Sequence, residues 1–218
     1  MNRAPLDLSL YLVTDTALCG RFGVAATVAA AVRAGVTAVQ LREPAAPDDD
    51  VIALGRELVA VLRGTGVPLL VNDRVHLVAP IGAQGAHIGQ SDLDVATARA
   101  LLGDEAWLGL SAQTLDHVAA ARRTGLQALD YLGVGPVWAQ TTKADAAAPG
   151  GLDRLASLVA ASPWPCVAIG GITVERMRLV RSTGAAGAAV VSAICGRPDV
   201  AAATTALTDA WQDSGATR

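Results

Sequence analysis

Aromatic side chains are scarce in this sequence, at 3% of its 218 residues, so small and branched aliphatic side chains must fill its interior. Long apolar runs are also missing, although hydrophobic residues make up 52% of the chain and the mean hydropathy is +0.39. No run reaches the roughly 18–20 uncharged residues that a membrane-spanning helix needs. The richest runs, such as Gly187–Cys195, are of strand length. Since the N-terminal residues hold no long apolar segment before a cleavage site, we expect neither a membrane span nor a signal peptide.

The chain also lacks a strong charge of either sign. Its 17 basic and 20 acidic residues give a net charge of −3, which argues against non-specific binding of nucleic acids. Cys19, Cys166 and Cys195 stand far apart, with no CxxC pair and no histidine at metal spacing. We interpret them as structural thiols of a protein in the reducing cytoplasm. The sequence contains no Ser/His/Asp or Cys/His grouping, so we predict no side-chain nucleophile.

The chain does contain a regular alternation of short apolar strands and alanine-rich helical patterns. Strands that are apolar on both faces are typical of a parallel sheet covered by helices, and eight βα units favour closure into a barrel. We predict one α/β domain over residues 1–218, a single (β/α)8 TIM barrel. A doubly wound open sheet is the alternative, which the absence of G-x-G-x-x-G after the first strand disfavours. The predicted strands are Leu8–Val13, Val36–Leu41, Val67–Val71, Ala86–Ile88, Trp107–Leu110, Leu129–Val134, Cys166–Ile169 and Ala188–Val191. The predicted helices lie near Val24–Ala34, Asp48–Arg63, Val75–Ile81, Leu93–Leu102, Leu115–Thr124, Leu152–Ala161, Val174–Thr183 and Val200–Trp211.

Polar residues collect directly after the apolar runs. Because the chemistry of such barrels lies at the C-terminal ends of the strands, these residues form the candidate site. Of the histidines, His87 adjoins the fourth strand and could face either the core or the mouth, whereas His76 and His117 fall within predicted helices. The candidate residues at the strand ends are Gln40, Arg42, Glu43, Asn72, Asp73, Asp92, Ser111, Gln140–Lys143, Gly171 and Ser192.

Asp73 and Asp92 follow neighbouring predicted strands. Mg²⁺ at a phosphate site takes one or two carboxylates and fills its other positions with water and substrate, so the pair predicts a magnesium site. The alternative is that each aspartate caps the helix that follows it. Arg42 could bind a phosphate through its planar guanidinium, and the alternative for this residue is an ion pair with Glu43 or Asp73.

A long loop follows the sixth predicted strand and carries the cluster Gln140, Thr141, Thr142 and Lys143. Loops of this length in a compact domain are more often binding loops than connectors. A lysine beside two hydroxyls suits an anionic ligand. A solvated surface loop is the alternative interpretation.

Glycines and a serine follow the last two predicted strands, as Gly170-Gly171 and Val191-Ser192. The loops after the seventh and eighth strands form the usual phosphate site of these barrels. Glycines let an anion approach backbone N–H groups at the start of a helix, although tight turns alone would also explain them.

Together these motifs resemble those of thiamine-phosphate synthases over essentially the whole chain. The resemblance implies a (β/α)8 barrel that joins a hydroxymethylpyrimidine diphosphate to a thiazole phosphate carboxylate, releasing pyrophosphate and CO2 to give thiamine phosphate. It also implies a dissociative route, in which a pyrimidine methyl cation forms and the thiazole nitrogen captures it. The motifs occur in the family's order: LYLVTD at Leu10–Asp15, VQLRE at Val39–Glu43, VNDR at Val71–Arg74, GAHIGQSDL at Gly85–Leu93, GLSAQT at Gly109–Thr114, the long loop at Asp130–Leu152, AIGGI at Ala168–Ile172 and VVSAI at Val190–Ile194.

The resemblance also implies roles for single residues. Asp73 and Asp92 would hold Mg²⁺ on the diphosphate, and Lys143, Arg42 and Ser111 are the expected catalytic residues. Barrels of this kind often pair, which makes a homo-oligomer a possible assembly. The residues expected to bind the two small-molecule substrates are Gln40, Leu41, Arg42, Glu43, Asn72, Ser111, Gln140, Thr141, Thr142, Lys143, Gly171, Val191 and Ser192.

The sequence departs from the family's pattern at two positions. Pro44 stands where the family usually has a lysine, which removes one cation from the diphosphate side, and Gln140 stands where the loop usually has a threonine. Two other activities stay open. A thiazole tautomerase shares the fold but generally lacks the aspartates and the loop lysine, and it carries a histidine where this chain has Gln113. A non-catalytic barrel could instead bind a phosphate ligand and regulate thiamine genes or enzymes.

Overall fold

Eight parallel strands close into a barrel in the structure, a computed structural model that describes residues 5–140 and 148–213. Each strand pairs with the next, and the first pairs with the last, where Tyr11 lies beside Ala189. This closure confirms the predicted (β/α)8 TIM barrel and excludes the doubly wound open sheet. The strands are β1 (Leu10–Val13), β2 (Ala38–Leu41), β3 (Leu69–Asn72), β4 (Gly85–Ile88), β5 (Trp107–Ala112), β6 (Tyr131–Val134), β7 (Cys166–Ile169) and β8 (Gly187–Val190).

Helices follow the strands and cover the outside of the barrel. None within the described residues is long and apolar enough to cross a membrane. The helix α1 (Thr16–Cys19) was not predicted from the sequence, because four residues are too few to show a helical period. It begins where the Asp15 side chain accepts a 2.9 Å hydrogen bond from the Leu18 N–H. The helices are α1 (Thr16–Cys19), α2 (Val24–Arg33), α3 (Asp48–Leu62), α4 (Val78–Ile81), α5 (Val95–Leu102), α6 (Leu115–Arg123), α7 (Gly151–Ala161), α8 (Val174–Ser182) and α9 (Val200–Gln212), with 3₁₀ turns at Gly20–Phe22 and Val75–Leu77.

Several strands begin later than the apolar runs that predict them. The runs begin at Leu8 and Leu129, whereas β1 begins at Leu10 and β6 at Tyr131. Leu8 is only 2% exposed and packs against the residues inside the barrel. The apolar run therefore reports burial, and in a barrel burial extends beyond the paired residues.

Side chains alternate between two apolar cores along each strand, as the pleat requires. On β1, Leu10 and Leu12 face the layer between barrel and helices, while Tyr11 and Val13 face the barrel interior. On β2 the same alternation sends Ala38 inward. The next inward position towards the mouth is Gln40, which is only 5% exposed. A polar side chain at this position must find a partner inside the barrel.

The long loop after β6 leaves and re-enters the barrel at one point. The N–H of Gly150 donates to the carbonyl of Pro136 at 2.9 Å, and the N–H of Gly151 donates to that of Val137 at 3.0 Å. These two hydrogen bonds close the base of the loop just before α7 begins. We refer to these four residues as the loop base.

Candidate active site at the mouth of the barrel

A cavity of about 480 Å³ opens at the C-terminal ends of the strands. Its size and concave shape suit a small-molecule ligand. The walls bring together residues from both halves of the chain, which only closure of the barrel makes neighbours. The predicted site residues that line this cavity are Gln40, Arg42, Asn72, Ser111, Gln140, Gly171, Val191 and Ser192.

Some predicted residues are placed differently. Leu41 is 1% exposed and packs in the outer core, so only its backbone could reach a ligand. The Glu43 carboxylate accepts a 2.6 Å hydrogen bond from the Thr16 hydroxyl on α1. Thr141–Lys143 lie outside the described residues, and their roles stay predictions.

Asp73 leaves β3 in a left-handed backbone conformation, with a φ of 60°. Aspartate tolerates this region better than most residues, but strained backbone of this kind concentrates at functional sites. The Asp73 N–H donates to the carbonyl of His87 at 2.8 Å, which ties the residue to β4. Its carboxylate accepts a 2.6 Å hydrogen bond from the Asn72 side-chain amide. The local structure thus fixes an exposed carboxylate next to Asn72, which lines the cavity.

Asp92 folds back onto the end of β4, where its carboxylate accepts a 2.7 Å hydrogen bond from the Gly89 N–H. The alternative interpretation, that Asp92 caps the following helix, is wrong. Asp94 caps α5 instead, since its side chain accepts a 3.0 Å hydrogen bond from the Thr97 N–H. The carboxylate of Asp92 is exposed just after β4 and is not part of the cavity lining.

Asp73 and Asp92 are exposed carboxylates that follow the neighbouring strands β3 and β4, and carboxylate oxygens are ligands that suit a hard divalent cation. Among the described residues, no three His, Cys, Asp or Glu side chains gather into a metal-binding group. A cation held by two carboxylates needs most of its oxygen ligands from water and substrate. Mg²⁺ is bound in this way beside phosphates, whereas all-protein cages are typical of other ions.

A chain of hydrogen bonds runs through the barrel interior to the cavity. The Gln40 amide donates to the Tyr11 hydroxyl at 3.0 Å, and the hydroxyls of Tyr11 and Tyr131 lie 3.0 Å apart. The Tyr131 hydroxyl lies 2.9 Å from Nδ1 of His87, whose Nε2 lies 3.0 Å from the Ser111 hydroxyl. We call these five residues the interior chain. Three of them, the histidine and both tyrosines, were missed as site residues. The composition could have pointed to them, because they include both tyrosines of a sequence that is poor in aromatic residues.

One consistent assignment of donors and acceptors along the interior chain places a proton on Nε2 of His87. With the Gln40 amide as donor, Tyr11 donates to Tyr131, and Tyr131 donates to Nδ1 of His87. In this assignment Nε2 donates to Ser111, whose own hydroxyl proton can point into the cavity. Burial raises the pKa of Tyr11 to about 12 and also raises the pKa of Tyr131, so both stay protonated near neutral pH.

Two glycines make room for the interior chain. A Cβ atom on Gly109 would lie 2.1 Å from the Tyr131 ring, and a Cβ atom on Gly133 would lie 2.8 Å from the His87 ring. Both glycines are buried inside strands, where glycine otherwise weakens pairing. Their presence in β5 and β6 is explained by the ring volume that the interior must hold.

Three arginines, Arg42, Arg176 and Arg197, line the cavity. The Arg42 backbone N–H donates to the Thr14 hydroxyl at 3.1 Å, which fixes the chain at the end of β2. Among the described residues Arg42 has no ion pair, so the alternative of an ion pair with Glu43 is not supported. Arg176 and Arg197 were not predicted from the sequence because each follows a glycine- or serine-containing turn by several residues.

Comparison with known proteins gives consistent results for fold and sequence. The family model described as thiamine monophosphate synthase matches residues 10–194. A thiamine-phosphate synthase of Azorhizobium caulinodans is 46% identical over 203 residues, covering 93% of this chain and 94% of the relative. One from Psychrobacter sp. is 48% identical over 198 residues, with 91% and 92% covered.

Among solved structures, a thiamine phosphate pyrophosphorylase from Pyrococcus furiosus superposes with a TM-score of 0.83. It is 31% identical in sequence, and the match covers 94% of this chain and 96% of that one. Sequence and structure therefore agree over nearly the full length of both molecules.

Proposed function

The chain belongs to the thiamine monophosphate synthase family, and from this premise we propose that its barrel mouth condenses a hydroxymethylpyrimidine diphosphate with a thiazole phosphate. The products are thiamine phosphate and pyrophosphate. The protein is thus a transferase of thiamine biosynthesis that acts on small molecules.

The two-sided lining of the cavity is the observation that carries this proposal. Arg42 and Asn72 line the cavity at the ends of β2 and β3, and the side-chain amide of Asn72 donates to the carboxylate of Asp73. The turns at Gly170-Gly171 and Val191-Ser192, after β7 and β8, contribute the opposite wall. The first wall has the chemistry for a metal diphosphate, and the second has the glycine turns of a phosphate site.

Mg²⁺ is part of the proposal, with Asp73 and Asp92 as its protein ligands. When bound, it would neutralise the charge that develops on the departing diphosphate. Arg42 can donate a bidentate pair of hydrogen bonds to the same group, and Asn72 can donate a neutral one. We also assign to Lys143 the diphosphate contact that its family position implies.

Bond breaking needs a stabilised leaving group and a protected cation rather than a side-chain nucleophile. The Ser111 hydroxyl faces the cavity with its oxygen held by His87, so its proton can be donated to an anionic oxygen. The Gln40 amide is oriented by Tyr11 and can bond the edge of a heterocycle. The apolar cavity wall at Val167, Ile169 and Ala189 limits water around the reacting carbon.

The tautomerase alternative fits the site less well. Gln113 lines the cavity at the position where the tautomerase has a histidine. An amide side chain cannot serve as a general acid or base as a histidine can, and the Gln113 backbone N–H donates to Nδ1 of His117 at 3.2 Å. The aspartates that the tautomerase generally lacks are both present, and the relatives reported above are named synthases.

A reconstituted reaction tests the proposal. Purified protein is incubated with the pyrimidine diphosphate, the thiazole phosphate and Mg²⁺, and thiamine phosphate and pyrophosphate are quantified together. We expect equal amounts of both products, and their loss when a chelator removes the metal. Tight binding of both substrates without formation of either product would sink the synthase proposal and favour a regulatory binding protein.

We place this reaction in the cytoplasm as part of the same proposal. Cys19, Cys166 and Cys195 are all unpaired and buried, and unpaired thiols are typical of reducing compartments. A protein carrying a fluorescent tag in its native host would test this localisation.

A further inference from the structure

Two arginines stand on the wall formed by the loops after β7 and β8. Arg176 lies in the first turns of α8, which follows β7, and Arg197 follows the turn after β8. Both side chains line the cavity. Neither position belongs to the motifs that identified the site.

Arg176 is held in place from two sides. Its guanidinium donates to the carbonyl of Gly171, and its central carbon lies 4.7 Å from the centre of the Trp138 ring. Stacking on an aromatic face orients a guanidinium without using its N–H groups. Because a guanidinium has five N–H donors in a planar fork, donors beyond the one on Gly171 can serve a ligand.

Arg197 is held in the corresponding way on the next loop. Its Nε donates to the carbonyl of Ser192 at 3.0 Å, which leaves both terminal nitrogens for other partners. The two arginines therefore donate hydrogen bonds to the carbonyls of Gly171 and Ser192, which lie in the two turns that border the cavity. Fixed guanidinium groups lose less conformational entropy on binding than mobile ones do.

The positive charge of the cavity lining indicates that the two arginines also bind a ligand. Its described lining includes Arg42, Arg176 and Arg197 and contains no aspartate or glutamate. Arg176 and Arg197 are also absent from every ion pair among the described residues. A concave, positively charged wall whose described lining holds no acidic side chain favours a ligand that carries its own negative charge.

We propose that Arg176 and Arg197 together bind the phosphate group of the second substrate and set the preference for the phosphorylated thiazole over the corresponding thiazole alcohol. The inference rests on the proposed function for the identity of that substrate. In this proposal, two residues outside the recognised motifs bind the phosphate of the thiazole at the wall formed by the loops after β7 and β8. The pyrimidine diphosphate is bound across the mouth, near Arg42.

Equilibrium binding tests the proposal without requiring turnover. Binding of the thiazole phosphate and of the thiazole alcohol is measured by calorimetry for the wild type and for Arg176→Gln, Arg197→Gln and the double variant. We expect each single substitution to weaken binding of the phosphate form by about tenfold or more, as the loss of a charge-assisted hydrogen bond predicts. Binding of the alcohol should stay unchanged.

Arg178→Gln is the matched control. This arginine lies on α8 like Arg176, but its side chain is 59% exposed and pairs with Asp213 on the outer surface. It should bind both thiazoles as the wild type does. Arg176→Lys and Arg197→Lys keep the charge but lose the planar fork, and they should restore binding of the phosphate form only in part.

Kinetics then separate the two substrates. In the arginine variants the KM of the thiazole phosphate should rise while the KM of the pyrimidine diphosphate stays constant. Equal weakening of phosphate and alcohol, or a matching rise in both KM values, would overturn the proposal and leave the arginines a purely structural role. A wild type that binds the thiazole phosphate but makes no thiamine phosphate would instead refute the proposed function and leave this binding result intact.

Discussion

At the scale of single residues, Asp73 combines an unfavourable backbone with an exposed charge. A φ of 60° costs an ordinary residue roughly 1–2 kcal/mol, and only a functional or packing demand would keep it. The carboxylate accepts a hydrogen bond from the Asn72 side chain, and the Asp73 backbone N–H donates to the carbonyl of His87. The sequence predicts this residue as a metal ligand, and that role stays a prediction.

Asp73→Asn should therefore separate metal binding from folding. Asparagine tolerates the same backbone and can still accept from Asn72, so the free energy of unfolding should change by less than about 0.5 kcal/mol. The Mg²⁺ concentration for half-maximal activity should rise roughly 10- to 100-fold. Asp209→Asn, which removes the same charge from the exposed surface of α9, is the control and should leave the Mg²⁺ titration unchanged. Identical titrations for Asp73→Asn and wild type would remove Asp73 from the metal site.

Tyr131 is the central residue of the interior chain, because its hydroxyl bonds both Tyr11 and His87. Tyr131→Phe would leave two buried polar groups without this partner, which should lower the free energy of unfolding by about 1–3 kcal/mol. It would also release Nδ1 of His87 and shift the ring towards the other tautomer. Nitrogen chemical shifts of the labelled imidazole report that shift directly. If they match the wild type, the tautomer is fixed by another contact.

The same tyrosines predict how stability changes at high pH. Burial raises the pKa of Tyr11 to about 12 and also raises that of Tyr131, whereas an unfolded tyrosine titrates near its usual value of about 10. Groups with a raised folded pKa stabilise the protein fully below the unfolded pKa and lose this contribution as pH rises towards the folded pKa. Urea unfolding between pH 9 and pH 11.5 should thus show falling stability, and the fall should be shallower in Tyr131→Phe. Parallel curves for the two proteins would assign the alkaline transition to other groups.

At the scale of elements, the acidic residues at the start of α3 link two neighbouring loops of the barrel. Asp48, Asp49 and Asp50 all lie in the first turn of α3, where acidic side chains complement the helix dipole. Asp48 also binds the loop after β3, since it accepts 2.9 Å hydrogen bonds from Arg74 and His76. Hydrogen bonding to His76 and the nearby positive charges lower the pKa of the Asp48 carboxyl. The run therefore connects the β2 and β3 exits, which carry Arg42 and Asp73.

Pro44 lies within this connection. Arg74 donates to the Pro44 carbonyl at 3.1 Å, so a guanidinium already stands beside the position where the family has a lysine. Pro44→Lys should nevertheless lower the KM of the pyrimidine diphosphate, by up to about tenfold, because it adds a mobile cation at an exposed site on the diphosphate side. Ala45→Lys, with the same charge one residue later, is the control. If neither substitution changes the KM, the charge of Arg74 already covers this position.

At the scale of the whole molecule, the sequence predicts the order of eight βα units because each apolar run is bounded by turn residues. It also predicts the polar strand ends, because residues such as Gln40 and Asn72 interrupt otherwise apolar runs. The interior chain was not predictable in the same way. In strands buried on both faces, polarity does not mark which residues point inward, so His87 between Ala86 and Ile88 gave no sign of its direction. Arg176 and Arg197 reach the mouth only through the path of the backbone after β7 and β8.

The loop base has a consequence for how much the segment above it can change. Pro136 and Val137 are hydrogen-bonded to Gly150 and Gly151, so the barrel below is connected through these pairs whatever the number of residues between them. The entropy of closing a chain grows slowly with its length, by about 0.6 kcal/mol for each doubling. This segment is thus the place where the molecule can accept an inserted peptide, such as a reporter tag, at little cost in thermostability. Evolution could vary its length by the same physics while the eight strands stay in register.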